Sequence, residues 1–216
     1  MRTIEVNLYQ FNELSDSAKE VVRNWYREAG RGDNFFAEYV IDDAIELGKL
    51  MGFDFKTRGV KLHGGGMREK PCIYWSGFSS QGDGACFEAS WSAKAVQTGK
   101  IKENAPTDKL LGCVALELER IALIFPTATF TVSHQGRYYH KNSTDFDISI
   151  TDNEGQQIDT LQTAAAALDL IANTKDFMGW IYRQLERAYD YEQSNEAVDE
   201  NIVANGYEFT IDGKRA

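Results

Sequence analysis

The chain has 216 residues, 43% hydrophobic and 26% charged, with 33 Asp and Glu against 23 Lys and Arg for a formal charge of −10. Such a composition excludes a largely disordered chain and allows a full buried core. The acidic balance argues against direct nucleic-acid binding, which needs a basic surface to neutralise phosphates. Cys72, Cys86 and Cys113 are an odd number with no Cys-x-x-Cys pair, so neither a disulfide framework nor a zinc knuckle is indicated. No stretch has the length of a membrane span or the character of a signal or transit peptide, and a cytoplasmic location is expected.

In chain order, Thr3 to Tyr9 alternates as a half-buried strand. A helix follows, capped by Ser15 or Ser17, with Ala18, Val21, Val22, Trp25, Tyr26 and Ala29 on one apolar face and Gly30 at its end. Phe36, Val40, Ala44, Leu47 and Met51 predict a second amphipathic helix that Gly52 terminates. The period then changes to strands over Phe53 to Leu62, Pro71 to Phe78 and Ala85 to Ala93, with His63 to Gly66 as a surface loop. Thr107 or Asp108 opens a third helix with Leu111, Val114, Ala115, Leu118, Ile121 and Ala122 inward, stopped before Pro126. Strands over Thr127 to His140 and Thr144 to Thr151 follow, with Phe130, Val132, Phe146, Ile148 and Ile150 facing in. The helical C-terminal third, about 160–205, carries a weak point at Asn173-Thr174. A last strand at Tyr207, Phe209 and Ile211 closes the chain. The order predicts one α+β domain over residues 1–216, a mostly antiparallel sheet covered by amphipathic helices.

The candidate site is the polar loop Ser76 to Phe87. Ser79, Ser80, Gln81 and Asp83 offer donors and acceptors at one strand end, and Gly77, Gly82 and Gly84 allow close approach of a ligand or backbone. Asp83-Gly84 between alternating apolar residues also signals a hairpin turn without any ligand. The Arg137-Tyr138-Tyr139-His140 run, read as a strand, could stack on and hydrogen-bond a nucleotide. Cys86 is a weak candidate nucleophile that would need His134 or His140 beside it. His134, His140, Asp145 and Asp147 lack any metal-ligand spacing, and neither a metal nor a cofactor is expected. His63-Gly64-Gly65-Gly66 resembles the oxyanion loop of some lipases, but no nucleophile elbow follows. Acidic residues from Glu186 to Asp212 read as a solvated face.

Several stretches together resemble a family of bacteriophage and prophage proteins often labelled as antitoxins of a toxin–antitoxin stability system. They are Leu14 to Lys19 with Trp25-Tyr26, Ile73 to Phe78 running into Ser80 to Phe87, Gly136 to His140, and Asp176-Phe177-Met178 with Trp180 to Glu186 and Tyr189-Asp190-Tyr191. The resemblance implies a phage accessory protein of the bacterial cytoplasm that binds a host protein, as an antitoxin-like or counter-defence factor, and brings no active-site assignment. The alternatives are a nucleotide-binding or sequestering protein and a Cys-dependent hydrolase or transferase.

Overall fold

The structure is a computed structural model that describes residues 7–30 and 34–216. The fold is α+β, with antiparallel strands and amphipathic helices. Its contacts divide into two compact units: the described residues up to Glu38 together with Glu186–Ala216, and Tyr39–Leu185. The division falls within the second and the fifth helix.

In the first unit, strand β1 (Tyr9–Gln10) leads through a 3-10 turn at Phe11–Glu13 into helix α1 (Asp16–Ala29). Ser15 caps α1 by accepting a hydrogen bond from the Ala18 N–H at 3.3 Å, which leaves Ser17 as an ordinary helical residue. Residues 3–6 of the predicted first strand lie outside the described residues. Ala18 and Val22 are buried with Phe11, Leu14, Val198, Ile202 and Phe209, whereas Val21 and Ala29 face solvent, so the buried stripe is narrower than expected. Helix α6 (Asn195–Ala204) packs on α1, and Arg23 joins them by donating to both carboxylate oxygens of Asp199 at 2.7 and 2.6 Å. The predicted closing strand is reduced to β10 (Glu208–Phe209), antiparallel to β1.

The second unit begins within helix α2 (Phe35–Leu50), which Gly52 at φ +94° terminates. Six short strands follow: β2 (Phe53–Phe55), β3 (Thr57–Lys61), β4 (Met67–Pro71), β5 (Ile73–Trp75), β6 (Ala85–Phe87) and β7 (Ala89–Ser92). Helices α3 (Ile101–Asn104) and α4 (Lys109–Ile124) come next, then β8 (Thr129–His134), β9 (Thr144–Ser149) and α5 (Leu161–Glu192). The larger sheet has the order β2-β7-β8-β9, all antiparallel.

Each of the three strands predicted between Phe53 and Ala93 changes partner within its length. β2 pairs with β7, β3 with β4, and β5 with β6. The change occurs at Lys56, Cys72 and Glu88, whose backbones close a ring: Cys72 N–H donates to Lys56 O at 2.7 Å, Lys56 N–H to Glu88 O at 3.0 Å, and Glu88 N–H to Cys72 O at 2.9 Å. Three arms therefore radiate from one junction, two of them two-stranded and the first continued by β8 and β9, with the junction's backbone groups satisfied.

The core lies under the first arm, where Phe53, Trp91 and Phe130 share a face and Phe177 of α5 stacks on Phe53 at 5.6 Å between ring centroids. Of the residues expected inward on β8 and β9, Phe130, Val132 and Ile150 are buried, while Phe146 and Ile148 sit half-buried on the edge strand. Asp145 and Asp147 are on the exposed face, and α4 buries the predicted stripe from Leu111 to Ile121. Helix α5 is continuous across Asn173-Thr174: Thr174 Oγ1 donates to the Leu170 carbonyl and Asn173 Nδ2 to the Asp169 carbonyl, both at 2.8 Å. Bonds back to the preceding turn satisfy the side chains without breaking the helix. No helix among the described residues is long and apolar enough to cross a membrane.

Candidate functional site

The polar loop closes the β5–β6 hairpin, as expected, but not by a two-residue Asp-Gly turn. The ladder runs from Ile73↔Phe87 to Trp75↔Ala85, Ser76 N–H donates to Gly84 O, and residues 77–83 bulge beyond it. A two-residue primed turn needs positive φ at its glycine; here Gly82 (φ +100°), not Gly84, carries it. Asp83 organises the loop from inside: its Oδ2 accepts the N–H of Ser80 at 2.6 Å and of Ser79 at 3.0 Å. The Ser80 N–H above all, with Ser79 and the Ser76 side chain, holds the carboxyl below the usual carboxylate range. Tyr182 of α5 donates to Gly77 O at 2.9 Å and anchors the loop's outer limb.

Arg137 to His140 are not a strand. β8 ends at His134, and the run forms the connection to β9. This connection lies against the polar loop: Gly82 packs on the Tyr138 ring, and a methyl group on Gly84 would come within 2.7 Å of His140 Cδ2 and 3.2 Å of Tyr139 O. Only glycine admits that approach. The structure therefore brings the two predicted segments together through Gly82 and Gly84. Ser79, Ser80 and Gln81 remain exposed at the loop tip, and Asp83 is spent on the loop's own N–H groups.

Beneath the connection, Tyr74 stacks on Tyr139 with centroids 5.2 Å apart, His134 tilts against both rings, and the Arg58 guanidinium lies 5.3 Å over the Tyr74 ring. Tyr74 donates its hydroxyl to Glu88 at 3.0 Å, and Lys56 donates to the other Glu88 oxygen at 2.8 Å. Lys56 chiefly, with Tyr74 and His134, pulls the Glu88 carboxyl down against its partial burial, and burial with the Cys72 and Glu88 contacts pushes the Tyr74 phenol up. Cys86 pairs with Tyr74 in the ladder and is wholly buried, and burial first, then the Glu88 charge, pushes its thiol up to about 12. A nucleophile needs a reachable thiolate, and no histidine among the described residues bonds to Cys86. Cys86 is a packing residue. His134 is half-buried and its Nε2 lies 3.1 Å from the Tyr138 carbonyl oxygen, while Asn142 N–H donates to His140 Nδ1. Among the described residues no group of three His, Cys, Asp or Glu side chains is placed to hold a metal.

A second surface of the same unit was not anticipated. Trp180 donates to Asp108 at 2.5 Å and Arg120 to Asp169 at 2.9 Å, so α4 and α5 run antiparallel up to Trp180. Their outer faces carry Leu116, Leu123 (79% exposed) and Ile124 on α4, with Leu161 (92%) and Leu168 (69%) on α5. The signal was in the sequence: Lys109 to Ile124 has apolar residues all round, not on one stripe. Lys56, Tyr74 and Glu88 were missed because each looks like an ordinary strand residue until the junction unites them.

An α+β protein with a three-armed strand junction is the class that this fold defines. Residues 36–195 match the model of a family described as a domain of unknown function, DUF8835, and the chain belongs to that family. The matched span contains the whole second unit. No curated protein and no solved structure matches the chain.

Proposed function

We propose that this is a non-enzymatic binding protein whose contact surface for a protein partner is the outer face of α4 and α5. The exposure of Leu116, Leu123, Ile124, Leu161 and Leu168 on adjacent helices carries the reading. Scattered exposed leucines are ordinary, but a set of them on two tied helices marks an interaction surface. The resemblance to phage and prophage proteins labelled antitoxins supports a bacterial host protein as the partner and the cytoplasm as the place, in an antitoxin-like or counter-defence role. The experiment is affinity capture of the tagged chain from phage-infected cells, repeated with Leu123→Lys and Leu168→Lys combined. A stoichiometric host protein captured by the wild type and lost from the folded variant is expected. Retention of that protein by the variant, or a self-associated wild type that the variant converts to monomer, overturns the reading.

A second reading, capture of a nucleotide at the polar loop, is favoured by the contact of Gly82 with Tyr138. Gln81→Ala and Arg137→Ala would each abolish such binding, and the double variant would lose little more than either.

A further inference from the structure

The β3–β4 arm buries almost nothing: every residue from Thr57 to Lys70 is exposed, and it ends in the turn His63-Gly64-Gly65-Gly66. A ribbon that contributes no core gains little stability from burying its side chains, so its composition reports largely on what it meets outside. Residues 56–75 hold five cations, Lys56, Arg58, Lys61, Arg68 and Lys70, and one carboxylate that lies within the ribbon, Glu69. The register separates them. Arg58 is opposite Lys70 and Val60 opposite Arg68, so the three cations share one face, while Glu69 opposite Gly59 lies on the other with Lys61 and Met67. Among the described residues no carboxylate pairs with Arg58, Arg68 or Lys70.

The basic face runs directly into the aromatic one. Arg58, cross-strand from Lys70, covers the Tyr74 ring beyond the buried Cys72. Tyr74 stacks on Tyr139, and beyond it Tyr138 is 58% exposed with the Arg137 guanidinium 5.9 Å over its ring. Two of the nearby carboxylates are engaged: Glu88 by Lys56 and Tyr74, and Asp83 by its own loop. Cations in a row beside outward-facing tyrosines are what a single-stranded polynucleotide recognises, phosphates along the ribbon and bases on the rings. The chain's net charge of −10 conceals this, because it sums a local basic strip with acidic surface elsewhere.

We infer that the ribbon face of Arg58, Arg68 and Lys70, continued by Tyr138 and Tyr139, binds single-stranded nucleic acid. The inference is independent of the helical face assigned to a protein partner. The test is fluorescence anisotropy of the full chain with labelled oligonucleotides of about 20 nucleotides, as single-stranded RNA, single-stranded DNA and duplex DNA, at about 50 and about 200 mM salt. Single strands are expected to bind about tenfold or more weaker at the higher salt, and a preference between RNA and DNA names the source. Arg68→Glu with Lys70→Glu, both on the exposed ribbon, is expected to weaken binding about tenfold and to flatten the salt slope. Tyr138→Ala is expected to weaken it about fivefold or more without changing that slope. No binding at about 50 mM salt, binding unchanged by the double charge reversal, duplex bound as tightly as single strands, or competition by polyglutamate at equal charge would each overturn it.

Discussion

Two arms of one junction have opposite fates. The β5–β6 arm is buried through Ile73, Ala85, Cys86 and Phe87, whereas the neighbouring β3–β4 arm, built on the same ring of backbone hydrogen bonds, is exposed along its whole length. Backbone pairing is alike in both, so the difference lies in the side chains. One arm spends them on the core and is fixed by it; the other keeps cations and glycines in water.

That contrast can be broken at the core end first. Phe87 is fully buried against Phe53, Phe55 and Phe177, and Phe87→Ala is expected to cost about 3–5 kcal/mol in urea unfolding. Gly84→Val should follow at about 1–3 kcal/mol, because its side chain meets His140 and the Tyr139 carbonyl and pushes the tyrosine connection off the polar loop. A crystal structure of that variant with the two loops still in contact would refute the packing argument.

Asp83 should matter less and depend on pH. Its folded carboxyl is held below the ordinary value near 3.9, so its contribution is complete above about pH 4 and lost as pH falls through the folded value. Asp83→Asn should therefore be less stable than the wild type at neutral pH, with the gap closing in acid; a gap constant from neutral to acid would contradict the loop assignment. On the exposed arm, Arg68→Glu with Lys70→Glu should leave unfolding within about 0.5 kcal/mol of wild type. A larger loss would mean that the ribbon is part of the core after all.

Periodicity revealed the elements that bury a stripe, such as α4 from Leu111 to Ile121, and the cap signals of Ser15 and Asp108 proved real. It did not reveal the junction: the apolar phase shifts from Phe53 and Phe55 to Val60 and Leu62, but such a shift fits a bulge as well as an exchange of partners at Lys56. The tyrosine run was read as a strand because tyrosines suit strands, yet Gly136 at φ +84° turns the chain just before it. Of the candidate site, the polar loop and the tyrosine run were each legible as segments, but the residues through which they meet are glycines and not the polar side chains beside them. The carboxylate of Asp83, chosen as a ligand group, proved to be the loop's own internal fastening.

The central claim, that the α4 and α5 outer face receives a protein partner, is tested most directly by amide hydrogen exchange of the chain alone and in complex with the host protein that it captures. Slowed exchange across Lys109–Ile124 and the first three turns of α5, with the ribbon from Thr57 to Pro71 unchanged, is the expected result. Protection confined to the ribbon and the tyrosine loop, with both helices unaffected, would contradict it.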